Sequence, residues 1–164
     1  MTTTPSQSNL LDPEKSSLRD RVSRYGPLVV WMLIIFAGST DVLSASHSGM
    51  ILRPIVLWLF PNISEAGLAT IHFLVRKLSH FSEYAILALL AARAFYASTH
   101  AGLRQKWFTA ALVLVTIYAF SDEFHQSFEA SRTASIYDSF IDIAGGATAL
   151  LFLAAWRRRR RTAA

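Results

Sequence analysis

Between positions 77 and 142 a small set of polar side chains has the types and spacing of a binding or reactive site. Lys77, His80 and Tyr84 are spaced i, i+3, i+7, so a helix places them on one face, with Glu83 adjoining it. Asp122 and Gln126 are i, i+4, with Glu123 and His125 beside them, and Asp138 and Asp142 repeat that spacing. Arg132 lies in the connection between the last two groups. Lysine and arginine can hold a phosphate or carboxylate, His80 can transfer a proton near neutral pH, and a carboxylate can act as base or orient the imidazole. Glu83, Asp122, Asp138 and Asp142 are also reasonable ligands for a hard metal ion. Residue types alone do not choose among these chemistries, and the cofactor, if any, stays unknown. The HExxH, GxSxG, P-loop and deaminase signatures are absent from the sequence.

The duller reading of each group is structural. Lys77 can snorkel at an interface, Arg132 can pair with Glu129, and the acids can be interhelical polar glue. What favours function for His80, Glu83, Asp122, Asp138 and Asp142 is where they fall. They lie in or beside apolar stretches of membrane length, where a charge at mid-bilayer costs roughly 2.5 to 3.5 kcal/mol and so needs a wet or protein-lined setting and a partner.

Those stretches are Pro27 to Ser46, Leu78 to Tyr96, Trp107 to Phe124 and Ile136 to Trp156, each near the ~20 residues that cross a bilayer. The expected fold class is therefore all-α: a polytopic membrane helical bundle of about four transmembrane helices. A cytoplasmic polar tail occupies residues 1–24, the membrane domain 25–156 and a basic cytoplasmic tail 157–164. Asp12-Pro13-Glu14 can start a short helix leading to Arg24. Between the first two spans, MILRPIVLWLFP is too short to cross and is interrupted by Pro54 and Pro61, so it is expected to lie on the membrane surface or to re-enter shallowly, with Trp58 and Phe60 as anchors. Gly145, Gly146 and Ala149 are expected to let helices pack closely. His47, His72 and His100 carry no partner spacing and read as solvated loop residues.

Charge sets the orientation. The chain has 16 Lys and Arg and a net charge of +5. Lys15, Arg19, Arg21, Arg24, Arg93, Arg104, Lys106 and Arg157 to Arg161 all fall on one side of four spans, which leaves Arg53, Arg76, Lys77 and Arg132 on the other. That is the positive-inside pattern with both termini cytoplasmic, and Tyr25, Tyr96, Trp107 and Trp156 mark the same boundaries. The terminal arginine run is thus a topology anchor, and nucleic acid is not an expected partner. The first span has the layout of a signal peptide, but its long lead and the lack of an Ala-x-Ala site after the apolar core favour a retained span. With no cysteine there is no disulfide framework, thiol nucleophile or cysteine metal site.

The succession Lys77-x-x-His80-Phe81-x-Glu83-Tyr84, then Ser121-Asp122-Glu123-x-x-Gln126-x-Phe128, then Arg132-x-x-Ser135-x-x-Asp138-x-x-x-Asp142-x-x-Gly145 resembles the VanZ-like membrane protein family over about residues 28 to 156. The resemblance implies a small multi-span protein of the bacterial inner membrane, related to one associated with teicoplanin resistance, and it implies no particular reaction. Two positions depart from the family pattern. Ala130-Ser131 stands where Pro-Gly usually precedes the arginine, and Asp142 stands where relatives often carry Asn. The expected function is a cell-envelope protein with an outward-facing polar site that recognises or modifies an anionic lipid or lipid-linked cell-wall headgroup. Lys77, Arg132, Tyr84, Glu123 and Gln126 would bind it, and His80, Glu83, Asp122, Asp138 and Asp142 would act as proton carrier, base, orienters or metal ligands. Membrane lipids, a lipid-linked precursor or a glycopeptide are the expected partners. The rival is a non-catalytic binding, channel or scaffold protein in which the same groups form a hydrated ion-pair network.

Overall fold

The computed structural model describes residues 13–39, 45–128 and 136–162, which are helical almost throughout. In chain order the helices are α1 (Pro13–Gly38), α2 (Ala45–Leu59), α3 (Glu65–Tyr96), α4 (Ala101–Gln105), α5 (Trp107–Gln126) and α6 (Ile136–Thr162), and no strand occurs among the described residues. Arg132 and the turn that presents it lie outside the described residues.

Several element boundaries differ from those read from the sequence. Residues 13–24 are continuous with the first apolar stretch, because α1 runs through Pro27 and ends at Gly38, short of the expected Ser46. The segment around Pro54 is not broken there: α2 carries that proline inside it and stops at Leu59, before Pro61. The expected connection up to Lys77 is largely helix, since α3 begins at Glu65 and continues unbroken for 32 residues. Ser64 caps it, its Oγ accepting a hydrogen bond from the Gly67 amide at 3.1 Å, and Glu65 follows in the first turn, where negative charge is favourable. This start puts His72 inside a helix and not in a loop, while His100 does stand at a helix start, before α4.

α3 is the central element. Its most extensive partner is α6, followed by α5–α6, α3–α5 and α1–α3 contacts. The cross-links fix the directions. Lys77 and His80 of α3 face Asp138 and Asp142 of α6, and further along both helices Tyr96 lies under the Arg157 guanidinium, so α3 and α6 run parallel. α1 is antiparallel to α3: Tyr25 donates its hydroxyl to Ser98 at 3.1 Å, and Trp31 donates its indole N–H to the Glu83 carbonyl at 2.9 Å. α5 is antiparallel as well, with Trp107 against Tyr96 at one end and Gln126 reaching Ser39 at the other.

The bundle is built from small residues inside and large ones outside. Ala88, Ala91, Ala92, Ala94, Ala111 and Ala119 are buried, whereas Leu33, Ile117 and Phe152 are exposed by 61%, 64% and 75%. In water such an apolar coat would be far larger than the few hundred Å² that monomers tolerate; against hydrocarbon it costs nothing, and small residues let helix backbones approach. A β-carbon on Gly145 would lie 2.2 Å from the Phe81 carbonyl oxygen, and one on Gly146 would lie 2.7 Å from Val115 Cγ1. These two glycines let α3, α5 and α6 meet closely, as the sequence suggested. α5 and α6 are each long and apolar enough to cross a membrane.

Candidate functional site

Two rungs join α3 to α6. Lys77 Nζ contacts Asp138 Oδ1, with Arg76 3.8 Å from the other oxygen of the same carboxylate. One turn on, His80 Nδ1 lies 3.2 Å from Asp142 Oδ1. The spacing explains the match. A step of three residues on α3 and of four on α6 advances both parallel helices by about one turn, so a lysine–carboxylate pair and a histidine–carboxylate pair stack in register. Their side chains are progressively less exposed, from 31% at Arg76 and 21% at Lys77 to 11% at His80 and 1% at Asp142. The site therefore has a mouth at Arg76 and an interior at Asp142.

α5 closes the third side. Gln126 is fully buried and donates its amide to Asp122 Oδ2 at 3.0 Å and to Ser39 Oγ of α1 at 3.3 Å. Beside them Ser139 of α6 donates to the Ala119 carbonyl at 3.4 Å, which ties α6 to α5 between Asp138 and Asp142. Tyr84, also fully buried, packs its ring 6.3 Å from that of Tyr118, whose hydroxyl donates to the Met32 carbonyl at 2.5 Å. Asp122, Asp142 and Glu83 are all within electrostatic reach of the Tyr84 hydroxyl. Glu123 is buried at 9% exposure, and the His125 ring packs 4.6 Å from Phe36 with its Nδ1 buried, so neither is the solvated group its position at a helix end suggests.

The geometry thus brings together Lys77, His80, Tyr84, Asp122, Gln126, Asp138 and Asp142 from three helices, with Glu83 within electrostatic reach of His80 and Tyr84. It also adds residues that spacing did not single out. Arg76 shares Asp138 with Lys77, and its sequence signals were adjacency to Lys77 and its place among the four cations opposite the basic ends. Ser39, Ser139 and Tyr118 hold the frame, and nothing in their local sequence separates them from ordinary helix residues. The metal reading gains no support, because among the described residues no three or more His, Asp or Glu side chains are placed to share an ion. Asp138 is turned to Lys77 and Arg76 while Asp142 is turned to His80, so the two carboxylates do not point at a common centre.

Chemically, an imidazole beside a buried carboxylate is equipped to take and return a proton, the carboxylate holding the ring and stabilising its charged form. Lys77 and Arg76 supply charge at the mouth for an anion that can compete with Asp138.

A family model described as VanZ/LLP1 matches residues 25–157. The chain belongs to the VanZ/LLP1 family. The matched region runs from Tyr25 to Arg157, so the whole VanZ/LLP1 region coincides with the bundle and contains every residue of the site. No significant match exists among curated proteins or solved structures. Family membership and the two apolar helices make this a VanZ-like membrane protein.

Proposed function

We propose that this VanZ/LLP1 protein crosses the bacterial inner membrane four times, by α1, α3, α5 and α6, with both termini in the cytoplasm. In this reading the two-rung site opens outward and recognises the phosphate of an anionic lipid or of a lipid-linked cell-wall headgroup. The single observation that carries this reading is the graded ladder from Arg76 to Asp142. Partly exposed cations stand at its mouth and a histidine–carboxylate pair lies just behind them, at the end of the bundle opposite the arginine run. Arg93 supports the orientation. Its guanidinium reaches the Ser23 and Arg24 carbonyls of α1, so the basic ends of α1 and α3 meet there.

In this scheme Arg76, Lys77 and Arg132 grip the anion and His80 carries a proton with Asp142 as its orienter. Tyr84, Glu123 and Gln126 line the bound group, while Glu83, Asp122 and Asp138 set its charge. A link to teicoplanin follows if the headgroup is a cell-wall precursor, and strains with and without the protein would then differ in teicoplanin susceptibility. The rival, a non-catalytic hydrated ion-pair network, is favoured by one observation: Lys77 is already engaged with Asp138.

Two experiments test the proposal. Because the chain lacks cysteine, single cysteines at Ser64 and Ser131 report topology cleanly: both should react with an impermeant thiol reagent in intact cells, while one at Thr99 should not. Labelling at Thr99 without lysis sinks the four-span reading. Lipid-resolved mass spectrometry of cells carrying wild type or His80→Gln separates the functional classes. A lipid change that depends on His80 supports turnover, and identical lipid profiles with retained function favour the rival.

A further inference from the structure

The interior of the site is rich in carboxylates and holds no lysine or arginine among the described residues. Asp122, Glu123, Asp138 and Asp142 are all buried. Arg76 and Lys77 are both committed to Asp138 at the mouth. Deeper in, two buried oxygens from two helices have no hydrogen-bond partner, the Tyr84 hydroxyl of α3 and Gln126 Oε1 of α5, while Asp142 Oδ1 of α6 meets only His80 Nδ1, at 3.2 Å. Gln126 and Tyr84 are fully buried and Asp142 is 1% exposed, so bulk water does not serve these atoms. The Tyr84 hydroxyl is within electrostatic reach of Asp122 and Asp142.

An ordered water would satisfy these atoms but leave Asp122 and Asp142 without a lysine or arginine beside them. A metal ion would need several oxygen ligands at about 2.0 to 2.6 Å. No His, Asp or Glu group among the described residues is placed to supply them. A primary ammonium meets both needs, with three N–H donors, a full positive charge and contacts of about 2.7 to 2.9 Å to carboxylate oxygens. Resting on the phosphate-recognition part of the headgroup reading above, and narrowing it from an anionic to a zwitterionic headgroup, we infer that the interior formed by Tyr84, Asp122, Gln126 and Asp142 takes a primary ammonium, so that the headgroup bound here carries an amine beyond its phosphate. The ladder then reads both charges of a zwitterion, phosphate at Arg76 and Lys77 and ammonium at Asp122 and Asp142.

The test uses the purified full chain in detergent, with short-chain phosphatidylethanolamine, phosphatidylglycerol and phosphatidylcholine as probes and retained lipid read by native mass spectrometry. Wild type should retain the ethanolamine lipid roughly tenfold better than either of the others, as one charge-assisted hydrogen bond suffices to give. Tyr84→Phe keeps the ring and removes only the hydroxyl, so it should lower the preference by about threefold to fivefold without unfolding the bundle. Asp142→Asn should bring it close to one. Equal retention of ethanolamine and glycerol lipids overturns the inference and leaves phosphate recognition standing. So does equal retention of ethanolamine and choline lipids, since a trimethylated nitrogen has no N–H to donate. A preference unchanged in both variants overturns the assignment to these residues, and no retention of any probe by wild type overturns the headgroup reading itself.

Discussion

The two ends of this bundle handle charge in opposite ways. At the basic end, no cation among the described residues forms an ion pair with an acid. Arg93 reaches backbone carbonyls of α1, Arg157 lies 3.8 Å over the Tyr96 ring and 5.3 Å over Trp107, and Arg160 lies 4.2 Å over Trp156. At the other end the charges are carboxylates held inside the bundle, met by cations that approach from its mouth. The first arrangement suits an interface, where arginine keeps its hydration on one side and an aromatic face on the other. The second has no such outlet, so each buried acid there needs a specific partner. The basic end can therefore absorb single substitutions that the polar end cannot.

Substitutions at the two ends test that contrast, beginning with the position on which the ladder's register depends. Gly145→Ala would drive a methyl group into the Phe81 backbone carbonyl, which cannot turn aside, and should force α3 and α6 apart. The expected loss is about 3 kcal/mol, the upper part of the usual range for overpacking, read as thermal stability in detergent. Gly146→Ala meets a valine side chain instead and should cost about 1 kcal/mol. If the two variants melt alike, close approach at Phe81 is not what sets the register.

Asp138→Leu removes the partner of both Lys77 and Arg76. Breaking a fully buried pair costs about 3 to 5 kcal/mol, but Lys77 can still reach water, so a loss of about 2 kcal/mol is expected, with normal insertion and lost function. A double-mutant cycle with Lys77→Met should recover most of it. Additive effects would show that the rung does not act as a pair.

At the basic end, Arg157→Ala should cost no more than about 1 kcal/mol, because its contacts with Tyr96 and Trp107 are cation–aromatic and water is near. A loss equal to that of Asp138→Leu would erase the distinction between the two ends.

The smallest stability effect should come from Arg53→Lys. The Arg53–Glu65 pair spans 2.9 Å, but its side chains are 55% and 79% exposed, so the change should stay within about 0.5 kcal/mol and leave function intact. Arg132→Lys is the informative partner. On the proposed headgroup reading lysine cannot reproduce a bidentate arginine–phosphate contact, so function should fall strongly at normal membrane levels. Equal tolerance at positions 53 and 132 would favour the hydrated network over headgroup recognition.

Much of the site is legible in the sequence because charge inside apolar stretches is rare and helical periodicity is strict. Lys77, His80 and Tyr84 lie on one face by spacing alone, as do Asp138 and Asp142, and the order of motifs shows the family. The helix limits are less legible. Pro27 and Pro54 read as boundaries, yet α1 and α2 run through both, since tertiary contacts can hold a helix past one missing amide. The polar residues up to Lys77 likewise read as a connection, although α3 begins at Glu65.

What the sequence determined by itself is the inventory: which charges enter the apolar segments, at what helical phase, and where the small residues sit that permit contact. Which charge meets which was decided only by the tertiary structure. Local spacing cannot say that Lys77 faces Asp138 while His80 faces Asp142, nor that Gln126 divides its amide between Asp122 and Ser39. Those pairings depend on α3 and α6 running parallel at a fixed register. The register is set where Gly145 lets two backbones come closer than any side chain would allow.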